Sequence, residues 1–308
     1  MVVPDGEQLF IGDGGLETTL IFHQGIELPE FAAFPLLREE AGREALRRYY
    51  GDFAGIARDH RAGFILDTPT WRASPNWGER LGYSAAEVAD VNREAVQLAE
   101  EIRAAEAGPG TPIAICGSVG PEGDAYRPER FLSAEEAERY HSSQIGALAG
   151  AGVDMVAAYT LCYVEEAVGI VRAAAAAGCP VSIAFTVETD GRLPNEEPLG
   201  EAIERVDAET AGASAYFMVN CAHTSHFAEE IESGGTWLER LGGIRANASR
   251  LSHAELDEAD DLDDGDPAEM AAEYAELRPS LPALRVVGGC CGTDRRHVAR
   301  ICAALDLS

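Results

Sequence analysis

The sequence predicts an α/β protein, a single-domain (β/α)8 TIM barrel over residues 1–308. Three observations carry this. Eight short, β-rich apolar runs recur along the chain, each followed by a polar or glycine-containing loop and, in most cases, a longer amphipathic segment. Most of the runs lack in-out alternation, as strands buried on both faces of a parallel sheet do. No linker divides the chain. The rival, a doubly wound sheet, would more often place a glycine-rich dinucleotide fingerprint after its first strand.

The runs lie near residues 9–15, 63–68, 112–118, 153–160, 181–187, 215–221, 243–247 and 284–290. Between them, helix-like segments include residues 38–60, 85–106, 134–149, 164–177 and 266–277. Ser84 and Ser133 are placed to cap the second and third of these. Ser133 has Glu136 three positions on, the capping-box spacing, and Gly178 follows an alanine-rich segment as a helix-ending residue does. Two loops are longer than their neighbours, residues 186–198 and 251–266. Both follow strands, so on a barrel they stand on the face that carries active sites, where either could act as a lid. The second holds the acidic run from Glu255 to Asp264. It reads first as a solvated loop, and it would also attract a cationic substrate.

Composition narrows the function. Hydrophobic residues make up 46% of the chain and charged residues 25%, enough to bury a large core. Fifty-three acids against 24 bases give a formal net charge of -29, which repels nucleic acid and anionic membranes. All the bases are arginine. The lack of lysine excludes Schiff-base, phosphate-loop and lysine-base chemistries. An acidic, lysine-free surface suits a halophile-like, salt-rich cytoplasm, in which molar KCl would favour folding; codon bias explains it equally well. The N-terminal Met1-Val2-Val3-Pro4-Asp5-Gly6 has neither a basic nor an apolar region, so a cytoplasmic location is expected. The longest apolar stretch carries Arg172 and is broken by Gly178-Cys179-Pro180, so no membrane span is expected either.

Seven cysteines scattered over a long chain favour metal or catalytic use over a disulfide framework. Cys221 ends the sixth run, and Cys290-Cys291 end the eighth between Gly288-Gly289 and Gly292. These groups are far apart in sequence and meet only through the fold. A barrel brings the C-terminal ends of strands six and eight to one mouth. The flanking glycines permit the bend that turns two adjacent sulfurs inward. Three thiolates with one vacant position describe a catalytic zinc site, since a closed structural site uses four protein ligands. The alternatives are buried packing cysteines or a vicinal disulfide. His223, His226 or Cys162 could add a ligand, with the two histidines read first as polar residues starting a helix. Cys116, Cys179 and Cys302 read as packing residues.

Asp13-Gly14-Gly15-Leu16-Glu17-Thr18, Val219-Asn220-Cys221 and Gly288-Gly289-Cys290-Cys291-Gly292-Thr293 resemble the three hallmarks of the zinc-dependent homocysteine S-methyltransferases, a family that includes enzymes using S-methylmethionine or betaine as donor. Gly117 to Pro121, Phe185-Thr186 and Asn247 extend the similarity over nearly the whole chain. The resemblance implies Zn2+ held by Cys221, Cys290 and Cys291, with Asp13 near the amino-acid substrate. It makes Glu17, Thr18, Tyr159, Thr160, Asn220 and Asn247 the other substrate-binding residues. It also implies small-molecule partners, a thiol acceptor and a methyl donor. S-methylmethionine or S-adenosylmethionine is expected before a corrinoid, for which the 308 residues leave no separate domain. Betaine remains open, with Trp71, Tyr159 and Tyr163 as an aromatic surround.

The chain departs from that pattern on strand four, where Ala157-Ala158-Tyr159-Thr160 carries no glutamate before the threonine. Thr19 stands where an acid is common, and Trp71-Arg72 replaces an aromatic and glutamine. Glu17 could compensate for the lost carboxylate, and Arg72 could meet a substrate carboxylate. The alternative functions are methyl transfer to another thiol or selenol, and a non-catalytic zinc barrel closed by Cys162.

Overall fold

Phe10 pairs with Gly63 on one side and Val286 on the other, and these contacts close the sheet on itself. In the computed structural model, eight strands run in parallel in their chain order: β1 (Phe10–Ile11), β2 (Gly63–Asp67), β3 (Ile113–Val119), β4 (Met155–Leu161), β5 (Val181–Phe185), β6 (Tyr216–Asn220), β7 (Leu241–Ala246) and β8 (Val286–Gly289). A longer helix stands after each: α1 (Glu40–Asp59), α2 (Ala85–Glu106), α3 (Ala134–Ala151), α4 (Val164–Ala176), α5 (Leu199–Thr210), α6 (Thr224–Ser233), α7 (Pro267–Leu277) and α8 (Arg295–Ala304). This is the (β/α)8 barrel expected. The structure describes residues 2–4, 8–259 and 261–307. Asp260 of the acidic run and Met1, Asp5 and Gly6 of the N-terminal segment lie outside the described residues. Among the described residues, no helix is long and apolar enough to cross a membrane.

Every strand residue is buried, which explains the missing alternation: one face packs on the helices and the other fills the barrel. Leu66, Ile115, Val156, Ile183 and Phe217 join the strand–helix layer. Ile65, Ala114, Met155, Ala184, Met218 and Val286 fill the interior. Towards the C-terminal ends of β2, β3 and β7 the interior turns polar, with Asp67, Ser118 and Arg245 buried there.

Capping sets the helix starts. Ser84–Glu87 and Ser133–Glu136 both form complete capping boxes. Asp266 accepts from Ala268 and Glu269 and so stands outside α7, one residue later than the sequence pattern suggested. The first helix is also shorter than expected. Residues Phe34–Arg38 form a tighter 3-10 segment, and Glu39 is extended before α1 begins. β1 is only two residues long because the glycine-rich segment after it bends away. It still holds β8 through Gly12 N to Val287 O and Gly289 N to Asp13 O, both 2.8 Å.

Candidate metal centre and active site

The eighth loop solves the problem of two neighbouring cysteines facing one point. Residues Cys290 to Thr293 make a tight turn closed by Thr293 N to Cys290 O at 3.1 Å, with the Thr293 hydroxyl adding a bond to the same carbonyl at 2.7 Å. Gly292, third in that turn, has φ 77°, which a side chain disfavours. A Cβ on Gly289 would lie 2.0 Å from the Thr293 hydroxyl, so glycine is required there too.

Cys221 comes from the end of β6 in a left-handed conformation, φ 56°. A non-glycine residue is held there only by its surroundings. Its carbonyl accepts from His253 Nε2 at 2.7 Å, Asn247 Nδ2 at 3.0 Å and the Thr186 hydroxyl at 3.3 Å. The sulfurs of Cys221, Cys290 and Cys291 lie within 4.8 Å of one another, and all three cysteines are free rather than joined in a disulfide. Cys221 Sγ is 3.6 Å from Cys291 Sγ. Tetrahedral zinc with bonds of about 2.3 Å sets its sulfurs about 3.8 Å apart, so the donor set and spacing fit that ion. Hydrogen bonds from Cys290 and Cys291 pull the Cys221 thiol well below its usual range. The same contacts push Cys290 up to about 12 and raise Cys291.

The cluster opens into a cavity of about 460 Å³. Asp13, Glu17, Thr18, Tyr159, Thr160, Asn220 and Asn247 all line it, so the expected site residues come together. Several of them hold the site's own frame. Asn220 accepts from Thr160 N at 2.8 Å and donates to its hydroxyl at 2.9 Å, securing a second left-handed residue, φ 63°. The Thr18 hydroxyl donates to Gly15 O and accepts from Gly292 N, tying the first loop to the cysteine turn. Half-buried Glu17 stands on the wall, where burial pushes its carboxyl up to about 7.

Four residues that the sequence reading did not single out are central. Arg245 forms ion pairs with both Asp13 and Asp67. The Tyr159 hydroxyl donates to Asp67 at 3.1 Å and accepts from Arg245 at 2.9 Å. The Tyr126 hydroxyl lies 2.9 Å from Cys221 Sγ, and its ring stacks on His253 with centroids 3.9 Å apart. A charged residue inside an apolar strand run was the available signal for Asp67 and Arg245, since such a group is buried only with a partner. Tyr126 sits in a loop and His253 opens a short helix within another, and neither carried a signal.

Other expectations are corrected. Cys162 is buried just beyond β4, outside both the thiol group and the cavity lining. It does not close the site. Tyr163 turns to the loop before α3, accepting from Leu132 N at 3.1 Å and meeting Phe131 edge-on, and lies outside the cavity lining, so it is no part of an aromatic surround. The first reading of the two histidines holds: His223 caps α6 and His226, in its first turn, bonds Arg250 O, so both are helix-start residues. Of the two long loops, the second contributes Leu256, Asp257 and Asp263 to the cavity wall and contains a short helix, His253–Asp257. The first supplies Glu188, 3.5 Å from His253.

The sequence profile of the homocysteine S-methyltransferases matches residues 10–305. The chain belongs to the homocysteine S-methyltransferase family. It is therefore a methyltransferase. Its fold is similar to that of the Escherichia coli homocysteine methyltransferase MmuM in its oxidized form, with TM-score 0.76 and 22% identity over 97% of this chain and 96% of that one. The metallated form of MmuM gives TM-score 0.73 and 21% identity over the same shares. Comparison with curated proteins gives no match.

Proposed function

We propose that this methyltransferase moves a methyl group from a sulfonium donor, S-methylmethionine or S-adenosylmethionine, to the sulfur of homocysteine, producing methionine. The observation that carries the reading is the group of three free thiols within 4.8 Å of one another at the cavity mouth. Cys221, Cys290 and Cys291 would hold Zn2+, and the similar MmuM has been solved in a metallated form. Bound there, zinc supplies the Lewis acidity that keeps a substrate thiol deprotonated near neutral pH.

The chain's own residues do the rest. The described cavity lining carries seven carboxylates, Asp13, Glu17, Asp67, Asp124, Asp257, Asp261 and Asp263, against the guanidiniums of Arg72 and Arg245. That excess draws in a positively charged donor and favours a sulfonium. Asp13 would orient the acceptor's amino group. Tyr126, stacked on His253, covers Cys221 and limits water there. The acceptor sulfur forms its bond to the methyl carbon as the donor's sulfur–methyl bond breaks. The donor leaves as a neutral thioether, and the acceptor's proton passes to solvent. Holding donor and acceptor in line supplies much of the acceleration.

Purified zinc-loaded protein given homocysteine with S-methylmethionine, S-adenosylmethionine or betaine in turn tests this. Methionine from a sulfonium is expected. No methionine from any of the three would overturn the reading, and turnover of a different thiol or selenol would redirect it.

A further inference from the structure

Arg245 projects from β7 into the barrel beneath the thiol cluster, where it is buried. Its guanidinium has five N–H groups, and each meets an acceptor. Nε donates to Gly289 O at 3.2 Å. One terminal nitrogen meets Asp67 and the Tyr159 hydroxyl, and the other meets the carboxylate and carbonyl of Asp13. The cation is saturated, so it has nothing left to offer a ligand's carboxylate.

Its two carboxylate partners are buried as well. Two anions around one cation leave one negative charge uncompensated in the cavity floor, an arrangement that costs stability until another cation arrives. Burial pushes Asp13 up to about 7 and raises Asp67, the response of carboxylates short of positive charge. Two further residues of the same cavity, Tyr50 and Asn247, are buried and each has a side-chain oxygen without a hydrogen-bond partner. An incoming cation with N–H donors satisfies such acceptors. A sulfonium has none to give, and an ammonium has three.

We propose that Asp67, together with Asp13, binds the ammonium group of the acceptor, and that Asp67 thereby selects aminothiols over thiols of equal length that lack the nitrogen. The inference rests on the reading of the protein as a thiol methyltransferase. Arg245 and Tyr159 are positioning residues, which hold the Asp67 carboxylate from two sides. Asp13 meets Arg245 through Oδ1, and both carboxylates keep lone pairs for a ligand.

Calorimetric binding to the zinc-loaded protein compares homocysteine with 4-mercaptobutanoate, which keeps the thiol, chain length and carboxylate and lacks the ammonium. The wild-type protein should prefer homocysteine by about 30-fold or more, the scale of a buried charge-assisted contact. Asp67→Asn should cut that preference by about tenfold through weaker homocysteine binding, leaving zinc content and 4-mercaptobutanoate binding nearly unchanged. Equal binding of the two thiols by the wild-type protein overturns the proposal and needs no variant to be made. An Asp67→Asn protein that weakens both thiols equally also overturns it, since that is the signature of a purely structural residue. A preference present in binding with no methyl transfer from any donor would contradict the proposed reaction and leave Asp67's role standing.

Discussion

The thiol cluster and the charged floor share one cavity and are built in opposite ways. The thiols stand where two strands end, two of them in one tight turn, and the left-handed residues Cys221 and Gly292 set their directions. The floor lies deeper. Asp13, Asp67, Tyr159 and Arg245 come from the ends of four strands and meet only across the barrel interior. A site shaped by local turns writes itself into a short motif. A site made by compensation across a closed sheet does not.

This contrast sets the size of the expected effects. Replacing Cys221, Cys290 or Cys291 by Ala should remove zinc and activity together, because a two-thiolate remnant neither binds the ion tightly nor sets its geometry. Cys116→Ala and Cys302→Ala, in the interior and the helix layer, should keep zinc and lose only packing stability. Metal analysis and thermal melting of the five variants read this, and a fully zinc-loaded, active variant of any site cysteine breaks the distinction.

The floor should answer in stability first. Arg245→Met removes the cation from between two buried carboxylates and should cost about 3–5 kcal/mol in denaturant unfolding, the loss typical of breaking a buried pair. A loss of under about 1 kcal/mol would mean that the carboxylates simply take up protons.

Asp13→Asn is milder. It should raise the homocysteine KM about tenfold with zinc content intact, since a neutral amide gives up the charge-assisted bond. Lost stability with an unchanged KM would make Asp13 a purely structural residue.

The smallest effect belongs to the wall. Glu17 has its pKa raised by burial from 4.5 to about 7, so between those values the folded protein holds a proton that the unfolded chain has lost. Its contribution to stability is therefore highest at low pH, declines as pH rises from about 4.5 to about 7, and is flat beyond. Wild-type Tm minus Glu17→Gln Tm should fall across that window, and a difference that stays level would show that Glu17 titrates normally.

The barrel was legible because the two-sided burial of its strands leaves continuous apolar runs, and Ser84 and Ser133 mark helix starts by local chemistry. The thiols were legible because Gly288, Gly289 and Gly292 announce a turn beside a vicinal pair. Asp67 and Arg245 were missed because a charge inside an apolar run signals burial with a partner and does not say which one; only the closed barrel brings the two together. Glu17 was offered as the compensating carboxylate because it lies within the recognised first motif, whereas Asp67 of β2, which lines the same cavity beside the Tyr159 hydroxyl, belongs to no motif. Cys162 shows the converse error. Nearness to a strand end in sequence placed it at the mouth, and the turn after β4 buries it elsewhere.

The central claim is that three cysteines form a metal centre open to a substrate sulfur. X-ray absorption at the zinc edge, on loaded protein before and after homocysteine is added, tests it most directly. Three sulfur neighbours should become four, with Zn–S distances near 2.3 Å. Four sulfurs in both states, or three in both, would contradict it.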